Sequence, residues 1–289
     1  MKIIEETEPF MAWKDILVFA DGSDNGLARA QMAADLATAT GASLEVCVPA
    51  CLPSLLASGG ASVAIEIFDE TERIARDDAT RASIEIRSRF PQLTDRLEVH
   101  TPAAKLADIP RLAGALGRTC DIVVVGQPIA EDASRADDAL LEGALFRSGR
   151  PCLMFPRWDA PRTWGKRILV AWKGVREAAR AVHDALPLLQ RADAVCVFLA
   201  GEGSDQDGDS PNAMSRLVRH LGRHGVKIEK PVTEDGAAAG PAILERAETW
   251  GADLIVMGGY GHSAFRERAL GGATRTAIRS SPVPVLLSH

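Results

Sequence analysis

Residues 253 to 287 read DLIVMGGYGHSAFRERALGGATRTAIRSSPVPVLL. Asp253 to Met257 form a short apolar run of the type that makes a buried strand. Gly258, Gly259 and Gly261 follow at once, and after nine further residues come Gly271 and Gly272. Glycine lets a backbone approach a ligand closely. Thr274 stands where a helix can begin, and the free N–H groups of a helix N-terminus attract phosphate. The stretch therefore reads as strand, glycine-rich loop, helix and closing strand, with a nucleotide phosphate tail as the natural guest of the loop.

Spacing narrows the choice. The phosphate-loop pattern G-x-x-x-x-G-K-[ST] occurs nowhere in the chain. The dinucleotide fingerprint G-x-G-x-x-G after a first strand is also missing. Gly258-x-x-Gly261, nine residues and Gly271-Gly272 instead resemble the G-x-x-G-x9-G-[ST] loop of the universal stress proteins. The resemblance implies that the loop wraps the phosphates and ribose of ATP, with Mg2+ as an accompanying ion. It points to Gly258, Gly261, His262, Gly271, Gly272, Ala273 and Thr274 as binding residues. Gly272 departs from the pattern, because the Ser or Thr hydroxyl expected there is missing; Thr274 offers one nearby. His262, Arg266, Arg268 and Arg275 flank the loop and can offset phosphate charge, although such residues singly are more often a solvated helix face.

The chain also reads twice. KDILVFA from Lys14 is followed by Asp21-Gly22, and KRILVAW from Lys166 by Lys173-Gly174. DIVVVG from Asp121 matches DLIVMG from Asp253, and PCLMF from Pro151 matches VPVLL from Val283. Two copies of one pattern imply duplication of a whole domain, placed at residues 1–157 and 158–289. The hinge is expected over Pro156 to Lys166. In the second copy, strands are expected at Ile168–Trp172, Ala194–Ala200, Val226–Val232, Asp253–Met257 and Val283–Leu287, with amphipathic helices between. Alternating strands and helices give parallel sheets covered on both faces, and such strands should be apolar throughout. The fold expected is thus α/β, two tandem doubly wound five-stranded sheets. The resemblance adds the strand order 3-2-1-4-5 and an adenine-nucleotide α-hydrolase-like fold. Ligands then bind beyond the carboxyl ends of strands 1 and 4.

Each copy is damaged differently. The resemblance places an Asp at the end of strand 1, against the adenosine. The first copy keeps it as Asp21-Gly22-Ser23, but its fourth strand runs into Gly126-Gln127-Pro128-Ile129 and then EDASRADD. Proline and a β-branched residue cannot form the same turn, and the acidic run disfavours phosphate. The first copy is therefore expected to bind no ATP in the family manner. The second copy has the loop but carries Lys173 at the Asp position. Lysine donates and cannot accept; it either forfeits a bond or reaches the phosphates. Trp172 packs a purine or sits in the core, the core reading being favoured. Val232 borders the base or is a plain strand residue.

Composition excludes other classes. The 289 residues carry a net charge of -6, which disfavours general binding to nucleic acid. No stretch approaches the roughly 20 apolar residues of a membrane span, and MKIIEETEPFMAW has no secretory-signal pattern. Five cysteines show no metal-ligand spacing; Cys152 and Cys196 read as buried hydrophobes, and Cys47 with Cys51 as a weak redox candidate. GEGSDQDGDSPN from Gly201 fails as a calcium loop, since counting from Asp205 puts Ser210 and Arg216 where glycine and glutamate are needed. His183 reads as a structural residue of an amphipathic helix. His220 and His224 share a helix face without zincin spacing. No nucleophile–base set is visible.

The expectation is a cytoplasmic stress-response regulator that binds adenine nucleotide in its second domain, with slow ATP hydrolysis at most. An unknown protein partner reads its state, and it pairs as a homodimer. The alternative is a nucleotide-independent dimeric interaction scaffold with decayed sites. A third reading, an adenylating enzyme, lacks a visible acceptor pocket.

Overall fold

The structure is a computed structural model, and it describes residues 13–52, 61–128, 136–158, 162–200, 213–229, 231–234, 238–259 and 272–289. In the first half the strands are β1 (Asp15–Phe19), β2 (Ser43–Cys47), β3 (Ala50–Leu52), β4 (Leu97–His100), β5 (Ala103–Lys105), β6 (Ile122–Gly126) and β7 (Cys152–Phe155). Its helices are α1 (Asp24–Thr40), α2 (Ala61–Arg89), α3 (Ile109–Gly117) and α4 (Ala136–Arg147). The second half follows with β8 (Arg167–Ala171), α5 (Arg176–Asp184), α6 (Leu186–Leu189), β9 (Ala194–Ala200) and α7 (Ala213–Arg223). It closes with β10 (Val232–Glu234), α8 (Ala239–Trp250), β11 (Leu254–Gly258), α9 (Gly272–Ser280) and β12 (Val285–Ser288).

Ten strands form one sheet in the order β10-β9-β8-β11-β12-β7-β6-β1-β2-β4, while β3 and β5 pair separately. Each half is parallel and repeats the order 3-2-1-4-5. The expected two sheets are thus fused: the fifth strands, β12 and β7, pair antiparallel with Leu286 opposite Leu153 and Leu287 opposite Cys152. An unpaired edge strand exposes a row of backbone donors and acceptors; here each fifth-strand edge satisfies the other's.

Alternation along the strands explains their apolar runs. Ile16 and Val18 of β1 face a core shared with α1, α2, α5, α6 and α7. Leu17 and Phe19 face the opposite core, under α3, α4, α8 and α9. Both faces of the sheet are dry, so both alternating sets must be apolar.

One repeated device was read as strand and is not. Asp121 accepts from the backbone N–H groups of Lys14 (2.6 Å) and Asp15 (3.1 Å). Asp253 accepts likewise from Lys166 (3.0 Å) and Arg167 (2.9 Å). Each carboxylate ties the start of a first strand to the fourth strand beside it, and the fourth strands begin one residue later, at Ile122 and Leu254. The expected strand Val226–Val232 is also corrected. Ile228 makes only a single bridge to Val195, and the regular strand is Val232–Glu234. Pro231 has no N–H for a ladder, which accounts for the break.

The connector expected to hinge the halves is pinned where it is described. Trp158 Nε1 donates to the Pro282 carbonyl at 3.2 Å. Phe155 meets the rings of Trp158 and Trp164 edge-on, with centroids 5.9 and 5.1 Å apart. Among the described residues, no helix is long and apolar enough to cross a membrane.

Candidate functional site

In each half the strand order reverses between the first and fourth strands, which opens a crevice beyond their carboxyl ends. In the second half Gly258 ends β11 at that point. A Cβ on Gly258 would lie 2.6 Å from the Ala178 nitrogen and 2.8 Å from the Glu177 carbonyl carbon. Only glycine lets the first turn of α5 close on the strand end. The Thr274 hydroxyl donates to the Gly258 carbonyl over a long 3.5 Å, and Thr274 is buried. Ala273 packs against the adjoining core, whereas Gly272 is exposed, with open space where a side chain would go. The two described ends of the glycine loop therefore meet at the crevice. The helix after the loop starts at Gly272, two residues before the expected Thr274. Gly261, His262, Gly271, Arg266 and Arg268 lie outside the described residues; Arg275 is exposed.

Trp172 is fixed by its backbone N–H, which donates to Phe198 O at 2.8 Å. Its ring packs against the core under α5 and α7, and its buried Nε1 has no hydrogen-bond partner. The core reading of Trp172 is the one the packing supports. Lys173 is exposed, and its carbonyl accepts from the Val175 N–H at 2.7 Å in the sharp turn that leads into α5. Val232 begins its strand rather than ending it, and it packs toward the opposite core, under α8 and α9. Trp172 and Val232 thus lie against different faces of the sheet and are not brought together.

The first turn of α5 was not singled out in the sequence, yet it forms one wall of the crevice. Glu177 is 2 % exposed and pairs with Arg176. Burial works to raise the Glu177 carboxyl, but the Arg176 guanidinium and a backbone N–H outweigh it and hold the group below its ordinary value. A carboxylate in a first helical turn complements the positive end of the helix.

The first-half crevice is built otherwise. The Asp21 carboxylate accepts from the Ser23 N–H (2.9 Å) and from the Ser23 hydroxyl, and Ser23 caps α1 by accepting from Gly26 N at 3.0 Å. Above Gly126 the space is filled, because a Cβ there would fall on the Arg29 guanidinium. Arg29 is 7 % exposed, and its Nε donates to Phe19 O at 2.7 Å. Sequence reading missed Arg29; the available signal was an arginine set among the alanines and leucines of the buried face of α1. Replacing Arg29 with Met should lower stability by about 1–3 kcal/mol by leaving the Phe19 carbonyl unsatisfied, read from the urea midpoint at unchanged slope.

The cysteines are packing residues. Cys152 and Cys196 are buried, as read from the sequence. Burial pushes the Cys47 thiol up to about 12, and Cys51 is also raised, by its own burial and then by Asp137 and Asp21. A thiol that stays protonated is a poor nucleophile, which disfavours the redox candidate. His183 is exposed near the end of α5. The rings of His220 and His224 meet edge-on at 4.6 Å.

Comparison with known proteins now identifies the fold. The model of the Universal stress protein family matches residues 165–289. A universal stress protein of Synechocystis is 24% identical over 168 residues, a match that spans 57% of this chain and 57% of that relative's length. A universal stress protein structure from Archaeoglobus fulgidus superposes with a TM-score of 0.68 at 22% identity, covering 95% of both chains. A universal-stress-protein-like chain from Pseudomonas aeruginosa superposes with a TM-score of 0.58 at 18% identity, covering 96% of this chain and 93% of that one. At these identities the two structures speak for the fold alone. Residues 165–289 are thus similar to the universal stress protein family, and the chain as a whole shares its fold with the solved structures.

Proposed function

We propose that the chain is a regulatory protein whose second half binds an adenine nucleotide, ATP with Mg2+ in the first instance, in the crevice beyond β8 and β11. One observation carries this reading: Gly258 and the Gly272–Thr274 start of α9, the two ends of the glycine-spaced loop, meet where the strand order reverses. In this reading Gly258, Gly261, Gly271, Gly272, Ala273 and Thr274 line the phosphates together with His262. Lys173 stands at the mouth, and Trp172 braces the floor from the core. The first half, a second copy in which Arg29 packs against Gly126, binds none. Occupancy changes the surface offered to a protein partner rather than driving turnover. Any homodimer uses surfaces other than β7 and β12, which already pair within the chain.

A second reading, a scaffold that works without nucleotide, is favoured by Lys173 at the position where the family pattern has Asp. Calorimetric titration of nucleotide-stripped protein with MgATP separates the two. The expected result is one site per chain, lost in Gly261→Val. No heat at millimolar ATP would leave the scaffold, and two sites would overturn the reading of the first half.

A further inference from the structure

Helix α2 packs inward through Ala75, Ala79, Ala82 and Ile86. Its opposite face carries Ile74 and Ile84, which are 46 % and 62 % exposed. Among the described residues these are the large apolar side chains left in water, and both stand on this one face. A single exposed isoleucine needs no explanation; two in line on one helix do. Asp77 and Arg81 lie between them and are exposed as well. The four residues recur at i, i+3, i+7 and i+10, the seam spacing of paired helices. Arg73, Ile74, Asp77, Thr80 and Arg81 flare around a shallow, open hollow along this seam.

The seam complements itself when reversed. Ala79 is midway between Ile74 and Ile84, and also midway between Asp77 and Arg81. Set antiparallel against a second copy, with the twofold axis level with Ala79, Ile74 meets Ile84 of the copy and Asp77 meets Arg81 of the copy. Each contact is made twice, as a twofold dimer requires. Two ion pairs then lie at the centre, with an isoleucine pair on either side. A parallel pairing fails, because it sets Asp77 against Asp77 and Arg81 against Arg81. Within the helix these charges are held only weakly. Arg73 meets Glu70 at 2.6 Å and Asp77 at 2.9 Å, and Arg81 pairs with Asp78. Exposed pairs one turn apart contribute little in water, and Arg73 keeps Glu70 when Asp77 turns to the copy. Helix α7, in the same position of the second half, offers no such match. Its sequence AMSRLVRHLGR has no Asp or Glu, so its exposed Arg216, Arg219 and Arg223 would meet like charge on a second copy.

We infer that the outer face of α2 is the docking surface for a second copy of this chain, which pairs antiparallel through Ile74, Asp77, Arg81 and Ile84. The fifth strands β7 and β12 already pair within the chain, and α2 supplies the contact that they cannot. One pair of helices buries an area at the low end of specific interfaces, so the dimer is a reversible one. The inference does not rest on the nucleotide reading, because α2 belongs to the first half and no nucleotide enters the test.

Sedimentation equilibrium of the full chain is that test. The unmodified chain is expected to pass from monomer to dimer in the micromolar range. Asp77→Arg sets an arginine against Arg81 of the copy, and Arg81→Asp sets an aspartate against Asp77 of the copy. Like charges across an interface suppress pairing, so each variant alone should dimerise at least tenfold more weakly. An equimolar mixture of the two should recover the dimer, because the arginines of one chain then face the aspartates of the other. Ile74→Lys/Ile84→Lys should abolish it. Arg219→Asp makes the same change of charge on α7 and should leave the dimer intact. All of these side chains are exposed, and circular dichroism checks that the variants fold. A monomer at every concentration, a dimer indifferent to the α2 variants, a mixture that fails to recover it, or an equal loss in Arg219→Asp would each overturn the proposal.

Discussion

Leu286→Asp should cost more than about 4–5 kcal/mol, the range reserved for an unpaired charge buried in a core. Leu286 is fully buried in the seam of the ten-stranded sheet, opposite Leu153. Total stability of a folded chain is about 5–15 kcal/mol, so this one change should leave much of the protein unfolded at room temperature. The same substitution at Val232, on the short outer strand β10 and only partly buried, should cost far less. Leu153→Ala, which leaves a cavity but no charge, should fall between them at about 2–5 kcal/mol. Urea midpoints order the three. If Leu286→Asp and Val232→Asp unfold alike, the seam contributes no more than an edge, and the view of the two halves as one fused sheet fails.

Gly258→Val is expected to lose about 3 kcal/mol or more, at the upper end of overpacking penalties. The reason is the identity of the neighbours: the added atoms meet the backbone of Glu177 and Ala178, which cannot rotate aside as a side chain can. The first turn of α5 must lift from the strand end, and MgATP affinity should fall with it. Gly272→Ser is the contrast. Its side chain enters open space, so stability should stay within about 0.5 kcal/mol. It also restores the hydroxyl that the family pattern has there, and MgATP should bind several-fold tighter. Tolerance of valine at 258 would mean that α5 does not seal the crevice; unchanged affinity in Gly272→Ser would remove the loop's end from the phosphates.

The parts of this fold that were legible are those set by periodicity and repetition. Short, wholly apolar runs bounded by turn residues read as strands covered on both faces, and the two copies of the run after Lys14 and Lys166 pointed to the strand order that recurs in the two halves. What stayed hidden depends on distant partners. Asp121 and Asp253 open runs that look like strand, and only the structure shows their carboxylates holding a neighbouring strand's first N–H groups. Val232 was placed by an apolar pattern that Pro231 interrupts. Arg29 was invisible because burial of a guanidinium depends on a carbonyl ten residues earlier in the chain, brought near by the fold. Of the residues expected at the crevice, Gly258, Gly272 and Thr274 converge because they flank one loop, whereas Val232 belongs to a strand two places away and faces the opposite core.

The seam between β7 and β12 has a consequence for how the two copies diverge. In a symmetric homodimer an isologous contact is made twice, so every residue must suit both of its roles. Here the approximate twofold survives in the backbone: Gln127 N donates to Phe155 O and Gly259 N to Ser288 O, each at 2.8 Å. The side chains have parted. Gln127 Nε2 reaches across to the carbonyls of Ile278 (3.0 Å) and Ser281 (3.2 Å). At the related position on the other side, Gly259 has no side chain to reach across and faces Leu145 of the first half. Tethering turns a bimolecular encounter into an intramolecular one, at an effective concentration that dilution cannot lower. Freed from self-complementarity, each copy answers only to its fixed neighbour, so one is at liberty to set an arginine against Gly126 while the other sets the backbone of α5 against Gly258.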